Sequence, residues 1–159
     1  MNIELSRSAQ KIRDVLNANH VETAVIELPA STRTAAEAAQ AIGCTVAQIA
    51  KSIIFRGAVT GKAVLVVASG INRINENKVS ALIGEPLAKA DAAFVREKTG
   101  FVIGGVPPIG HIEKPITIVD EDILRLGDIW AAAGTPNSVF RLTGELLVQL
   151  SGGLVAAIK

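Results

Sequence analysis

The segment Gly104-Gly105-Val106-Pro107-Pro108-Ile109-Gly110-His111 packs three glycines and two prolines into eight residues. Glycine lets a backbone approach a ligand closely and adopt positive φ. Proline stiffens the chain and removes an N–H donor. A loop of this composition is rigid and presents a few backbone amides, which suits the oxygen of a carbonyl or carboxylate. A tight crossover between a helix and a strand uses the same residue types, and composition leaves both readings open. Lys51 is the second candidate. It follows a helical turn, Val46 to Ala50, and opens an apolar strand. There an ammonium can point into a cleft to hold phosphate or polarise a carbonyl. An ordinary solvated or snorkelling lysine is the commoner occupant of such a position.

Other chemistries find less support. His111 has the residue type for a general acid or base, or for a hydrogen bond that closes its loop. His20 ends the first helix, where a capping role is expected. There is no H-E-x-x-H, no paired-histidine spacing and no carboxylate cluster, so neither a metal nor any other cofactor is expected. Asp120-Glu121-Asp122 sits at an expected helix start and reads as a cap. No G-x-S-x-G elbow supports a serine hydrolase. No G-x-G-x-x-G or P-loop supports a nucleotide fold. Cys44 is the only cysteine, which excludes an intrachain disulfide and suits a small buried side chain. Asn72, Arg73 and Asn75 follow a strand and could line the same mouth as Lys51, or simply form a turn and a cap.

The elements that position these residues are read from periodicity. Ser6 caps a helix from Arg7 to Ala18, and Thr23 to Leu28 is a strand. Thr34 caps an Ala-rich helix ending near Gly43. Ser52 to Arg56 and Ala63 to Ala68 form a hairpin around Gly57 and Gly61, buried on both faces. Asn75 caps a helix to Leu82 that Gly84 stops, and Ala90 to Lys98 is a helix closed by Gly100. Strand Ile116 to Val119 follows the glycine–proline loop. A helix is expected from Asp122 to Ala133, ending at Gly134. Strand Val139 to Leu142, helix Glu145 to Leu150 and strand Leu154 to Ile158 complete the chain. Irregular alternation around a hairpin predicts an α+β fold in one domain, residues 1–159.

Bulk properties narrow the partners. Lys+Arg number 16 against 15 Asp+Glu, so the basic excess of a duplex-DNA binder is absent. Any nucleic acid is expected to bind locally, through a few phosphates. The apolar runs are too short to span a bilayer. Met1-Asn2-Ile3-Glu4 has no cationic flank or apolar region of a signal peptide. A cytoplasmic location without membrane contact is the expectation.

Several segments, in order, carry a resemblance. Thr45-Val46-Ala47-Gln48-Ile49-Ala50-Lys51-Ser52 resembles a helix leading into a critical lysine. Leu65 to Ala68 with Arg73 and Lys78 resembles the following strand and helix. Thr99-Gly100-Phe101 with Gly104 and Pro108 resembles a G-x-x-x-P loop, and Ala132-Ala133-Gly134 resembles a helix end before a late strand. Together they resemble the YbaK family, which includes the editing domain inserted in bacterial prolyl-tRNA synthetases and its free-standing relatives. The likeness runs from the first helix to the last strand.

The resemblance implies a mixed, mostly antiparallel sheet curled towards a barrel and surrounded by helices. It implies hydrolysis of the ester joining an amino acid to the terminal adenosine of tRNA, with a ribose hydroxyl of the substrate helping to activate water. Lys51 is then the essential lysine, with Ser52 beside it. Gly104, Gly105, Val106, Pro107 and Pro108 form the wall holding the aminoacyl group, extended by Gly110 and His111. Gly134, Asn137 and Ser138 occupy the region where members differ in specificity. Cysteine-specific members tend to have Ser before the loop proline and no histidine after it, whereas Pro107 and His111 stand here. The expected substrate is a mischarged tRNA, foremost proline tRNA carrying Ala, Ser, Thr or Cys. Prolyl-tRNA synthetase is the expected protein partner. The alternative is a non-catalytic module that binds aminoacyl-tRNA or a synthetase.

Overall fold

Helix α1 (Arg7–Ala18) begins where the Ser6 hydroxyl accepts the Ala9 N–H at 3.2 Å. Ala9, Ile12 and Leu16 fall on one stripe and are fully buried. The computed structural model describes residues 5–29 and 34–159, so Met1-Asn2-Ile3-Glu4 lie outside the described residues. After the short strand β1 (Val25–Glu27), helix α2 (Ala35–Ile42) is capped by Thr34 and stopped by Gly43 at φ +87°. A 3₁₀ turn (Val46–Gln48) leads into β2 (Ile49–Gly57), which turns back as β3 (Ala63–Ser69). Then come α3 (Glu76–Ile83), β4 (Leu87–Lys89), α4 (Ala92–Thr99), β5 (Ile116–Asp120), β6 (Asp128–Ala132), β7 (Ser138–Thr143), α5 (Gly144–Ser151) and β8 (Leu154–Ala156).

The strands form one mixed sheet in the order β1-β7-β6-β2-β3-β5-β8, with β4 attached to β2. Four of the seven pairings are antiparallel and three are parallel. The sheet is curled without closing, in agreement with the expected α+β architecture. Every residue of β3 is buried, because β2 and β5 flank it and apolar layers cover both faces. That explains its unbroken apolar run. On one face Leu65 and Val67 join the main core with Ile12, Phe101, Ile129 and Phe140. On the other, Val64, Val66 and Ala68 meet Val79 and Ile158.

The expected helix from Asp122 to Ala133 is absent. A 3₁₀ turn covers Glu121–Arg125, Gly127 takes φ +71°, and β6 follows. Ile129 and Ala131 enter the core while Trp130 and Ala132 face the other way, a period of two rather than 3.6. Alanine-rich composition favours helix locally, but pairing with β2 and β7 overrides it. Ala132-Ala133-Gly134 is therefore a strand end, not a helix end. Two smaller differences bear on the site. Strand β2 begins at Ile49, so Lys51 is its third residue rather than its first. Strand β4, only three residues after Pro86, was not expected.

Candidate functional site

Strand β2 is paired with β3 along its length, and Lys51 stands opposite Ala68. Its other edge is paired only at the ends. Ile49 and Ala50 meet β6, Phe55 to Gly57 meet β4, and the stretch between has no neighbouring strand. A cleft of about 500 Å³ opens at this gap. Alternation puts Ile49, Lys51 and Ile53 on one face of β2, while Ala50 and Ile54 enter the main core. The N-terminal turn of α2 contributes Thr34, Ala35 and Ala38, and the glycine–proline loop contributes Ile103, Gly104 and Val106. Trp130, Ala132, Pro136 and Ser138 line the side formed by β6 and β7. Among the described residues two ammonium groups, Lys51 and Lys89, line the cleft, and no carboxylate does. Such a site favours an anion with an apolar portion.

Five of the twelve residues singled out from sequence line this cleft: Lys51, Ser52, Gly104, Val106 and Ser138. The other seven, Gly105, Pro107, Pro108, Gly110, His111, Gly134 and Asn137, stand outside the lining. Gly105 is buried, and a Cβ there would fall 2.7 Å from Thr135 Cα, so glycine lets two loops touch. Gly134, at φ +101°, crosses α1 with no room for a side chain, since a Cβ there would fall 2.7 Å from the Ser8 carbonyl oxygen. Pro107 and Pro108 are buried. The Gly105 N–H donates to the Val102 carbonyl, and prolines have no N–H. Among the described residues the N–H groups of the three loop residues in the lining, Ile103, Gly104 and Val106, donate to no other group. Asn137 donates from Nδ2 to the Leu28 carbonyl at 3.0 Å and accepts the Leu28 N–H at 2.7 Å. It fixes the end of β1 to the β6–β7 connection. Ser138 is buried, with its hydroxyl against that of Thr135.

His111 closes its own loop. Its Nε2 donates to the Pro107 carbonyl at 2.6 Å, which leaves Nδ1 as a buried acceptor without a partner. The ring sits 6.2 Å from that of Phe101. Burial pushes its pKa below 6.5, the Lys11 charge pushes the same way, and the Pro107 bond opposes them. The imidazole is held neutral in a structural position.

Asn72, Arg73 and Asn75 also lie outside the cleft lining. Asn72 Nδ2 donates to Asp120 at 2.7 Å and Asp122 at 2.8 Å, and the Ser69 N–H donates to Asp120 at 3.0 Å. Asp120 also caps the 3₁₀ turn by accepting the Asp122 N–H. The Lys159 ammonium, 2.8 Å away, holds the Asp122 carboxyl below its usual range, helped by Asn72. Asn75 caps α3. Burial pushes the Cys44 thiol up, and it too is outside the lining. Among the described residues no group of three or more His, Cys, Asp or Glu could hold a metal, and no helix is long and apolar enough to cross a membrane.

Sequence reasoning missed Lys89 and Trp130. Lys89 lies on a strand too short for a periodic signal, and Trp130 falls in the segment read as helix.

The architecture is an open α+β sheet with a cationic, partly apolar cleft in the gap of its central strand. Residues 29–150 match the model of the aminoacyl-tRNA editing domain, and the chain belongs to that family. It is 34% identical over 130 residues to the uncharacterized protein YwhH of Bacillus subtilis (strain 168), covering 82% of both chains. A solved structure described as a candidate trans-editing enzyme for prolyl tRNA synthetase is 47% identical, with a TM-score of 0.93, over 98% of this chain and 99% of that one. The proline–tRNA ligase of Limosilactobacillus fermentum (strain NBRC 3956 / LMG 18251) is 32% identical over 96 residues, which span 58% of this chain and 17% of the ligase.

Proposed function

We propose that this chain, as a single editing domain over residues 1–159, hydrolyses the ester of a mischarged aminoacyl-tRNA in trans. Proline tRNA carrying Ala, Ser, Thr or Cys is the foremost substrate. One observation carries the reading: Lys51 and Gly104, at opposite sides of the chain's centre in sequence, line one cleft that among the described residues holds two cations and no anion. Lys51 binds the 3′ end through a phosphate or the ester oxygen, and the N–H groups of Gly104 and Val106 face the acyl carbonyl. Water adds to the carbonyl carbon. The tetrahedral intermediate then expels the ribose oxygen, which takes up a proton, and the amino acid leaves as its carboxylate with release of one proton.

Among the described residues no His, Asp or Glu lines the cleft. A ribose hydroxyl of the substrate helps to activate water, and placement of the ester against amide donors supplies most of the acceleration. The test is a panel of mischarged tRNAs, proline tRNA first, incubated with wild type and Lys51→Ala. Ester loss that depends on Lys51 supports the reading, and equal loss with both proteins ends it.

The lack of those groups among the described residues also favours a second reading, a module that binds aminoacyl-tRNA or prolyl-tRNA synthetase without turnover. Complex formation with a stable ester distinguishes it. Both readings place the protein with the translation machinery of the cytoplasm.

A further inference from the structure

We propose that Ser52 is a specificity-determining residue, whose hydroxyl bonds a hydroxyl on the side chain of the amino acid to be removed. The preferred acyl groups are then the β-hydroxy amino acids, serine and threonine, ahead of alanine and cysteine. This inference rests on the editing reading above and narrows its substrate class.

Among the described residues three hydroxyls belong to the cleft lining, those of Thr34, Ser52 and Ser138. Two of them are engaged by their own surroundings. Thr34 Oγ1 accepts the Glu37 N–H at 3.1 Å and donates to Glu37 Oε1 at 3.0 Å. Ser138 Oγ bonds the Thr135 hydroxyl. Ser52 Oγ is buried and has no partner. A buried hydroxyl left unpaired opposes folding, and alanine would fill nearly the same space without that cost. A ligand that engages the hydroxyl offsets it.

The sheet decides which part of the ligand Ser52 meets. Lys51 stands opposite Ala68 of the smaller core cluster, and Ser52 stands opposite Val67 of the main core. The two neighbours therefore face opposite sides of β2. Four residues, Lys51 to Ile54, have β3 on one edge and neither β6 nor β4 on the other. Residues from both sides of the sheet line the cleft there. Lys51, Ile53 and Trp130 form one side, and Ser52, Ile54, Val95, Val106 and Ala131 form the other. The ester and its ribose lie with Lys51, which leaves the second, mostly apolar side for the acyl side chain. An ammonium there would meet no carboxylate among the described residues. Alanine presents a methyl group and leaves Ser52 unpaired. Cysteine presents a weak donor. Serine and threonine present a hydroxyl that donates and accepts, and the threonine methyl adds apolar contact. A site that bonds a substrate hydroxyl disfavours the analogue lacking it, because its own polar group then stays unpaired.

The test follows ester loss from seryl-, threonyl- and alanyl-tRNA of the proline acceptor with wild type, Ser52→Ala and Ser52→Thr. Wild type should favour the seryl and threonyl esters over the alanyl ester by about tenfold or more in kcat/KM. The ratio should fall to about one in Ser52→Ala and persist in Ser52→Thr, which keeps the hydroxyl. The thermal midpoint of Ser52→Ala should equal or exceed that of wild type, since no internal hydrogen bond is lost. A ratio near one in wild type, a preference that survives Ser52→Ala, or a lowered midpoint in that variant would overturn the proposal. Stable amides, 3′-serylamino-3′-deoxyadenosine and its alanyl counterpart, separate this proposal from the editing reading. Lys51-dependent ester loss without preference keeps the deacylase and removes the role of Ser52. Tighter binding of the seryl amide by wild type but not by Ser52→Ala, without ester loss, keeps the role of Ser52 and removes the deacylase. Neither ester loss nor selective binding removes both.

Discussion

Lys51 and Lys89 share one face of the sheet, because Lys51 and Phe55 are on the same side of β2 and Lys89 pairs with Phe55. Their proposed roles separate by position. Lys51 sits among half-buried residues at the centre of the cleft, while Lys89 is exposed at its edge. The Lys51→Ala change should lower kcat/KM for ester hydrolysis by about a hundredfold or more, the scale of losing one group that stabilises a developing charge. Its thermal midpoint should stay near wild type, since Lys51 makes no ion pair among the described residues. Lys89→Gln should raise KM about threefold with kcat unchanged, because an exposed phosphate contact is screened by water. Steady-state kinetics on both variants checks this; a drop in kcat for Lys89→Gln would give that lysine a different role.

At the scale of the element, the glycine–proline loop is chiefly architecture that holds Ile103, Gly104 and Val106 at the cleft. Gly105→Ala pushes a methyl group into the Thr135 backbone at 2.7 Å, and neither loop can move a side chain aside. A loss of about 1–3 kcal/mol is expected, read from urea denaturation. His111 contributes a pH dependence. Its folded pKa lies below the unfolded value near 6.5, so the unfolded chain takes up the proton first. Its contribution is complete above pH 6.5 and is lost as the pH falls from there through the folded pKa. The urea midpoint should therefore drop between about pH 7.5 and 5.5 in wild type. His111→Gln, which can still donate to Pro107, should drop less. An identical drop in both proteins would show that His111 is not the group responsible.

At the scale of the whole molecule, the charge is close to balanced, so affinity for tRNA is expected to come from the cleft rather than from a basic surface. With two cleft cations meeting a single-stranded end, log KM against log salt should have a slope between about 1 and 2. Much of the fold was legible. The helices α1, α2, α3 and α5 have side-chain caps at Ser6, Thr34, Asn75 and Thr143, and four of the five helices end at a left-handed glycine, each a local signal. The hairpin β2–β3 was legible from its apolar run and its two glycines. Strand β6 was not, since an alanine-rich segment acquires its period of two only by pairing with β2 and β7. The site followed the same division. Lys51 and Gly104 could be singled out as residue types, but the gap between β6 and β4 is a property of three strands distant in sequence. Gly105, Gly134 and Asn137 looked like ligand contacts because close loop packing and close ligand approach call for the same residues.

The most direct measurement is single-turnover ester loss from alanyl-tRNA of the proline acceptor, with wild type and Lys51→Ala side by side at equal folded concentration. Rapid loss with wild type and at least about a hundredfold slower loss with the variant is the predicted result. Loss at the uncatalysed rate with both proteins, across this and the seryl, threonyl and cysteinyl esters, would contradict it.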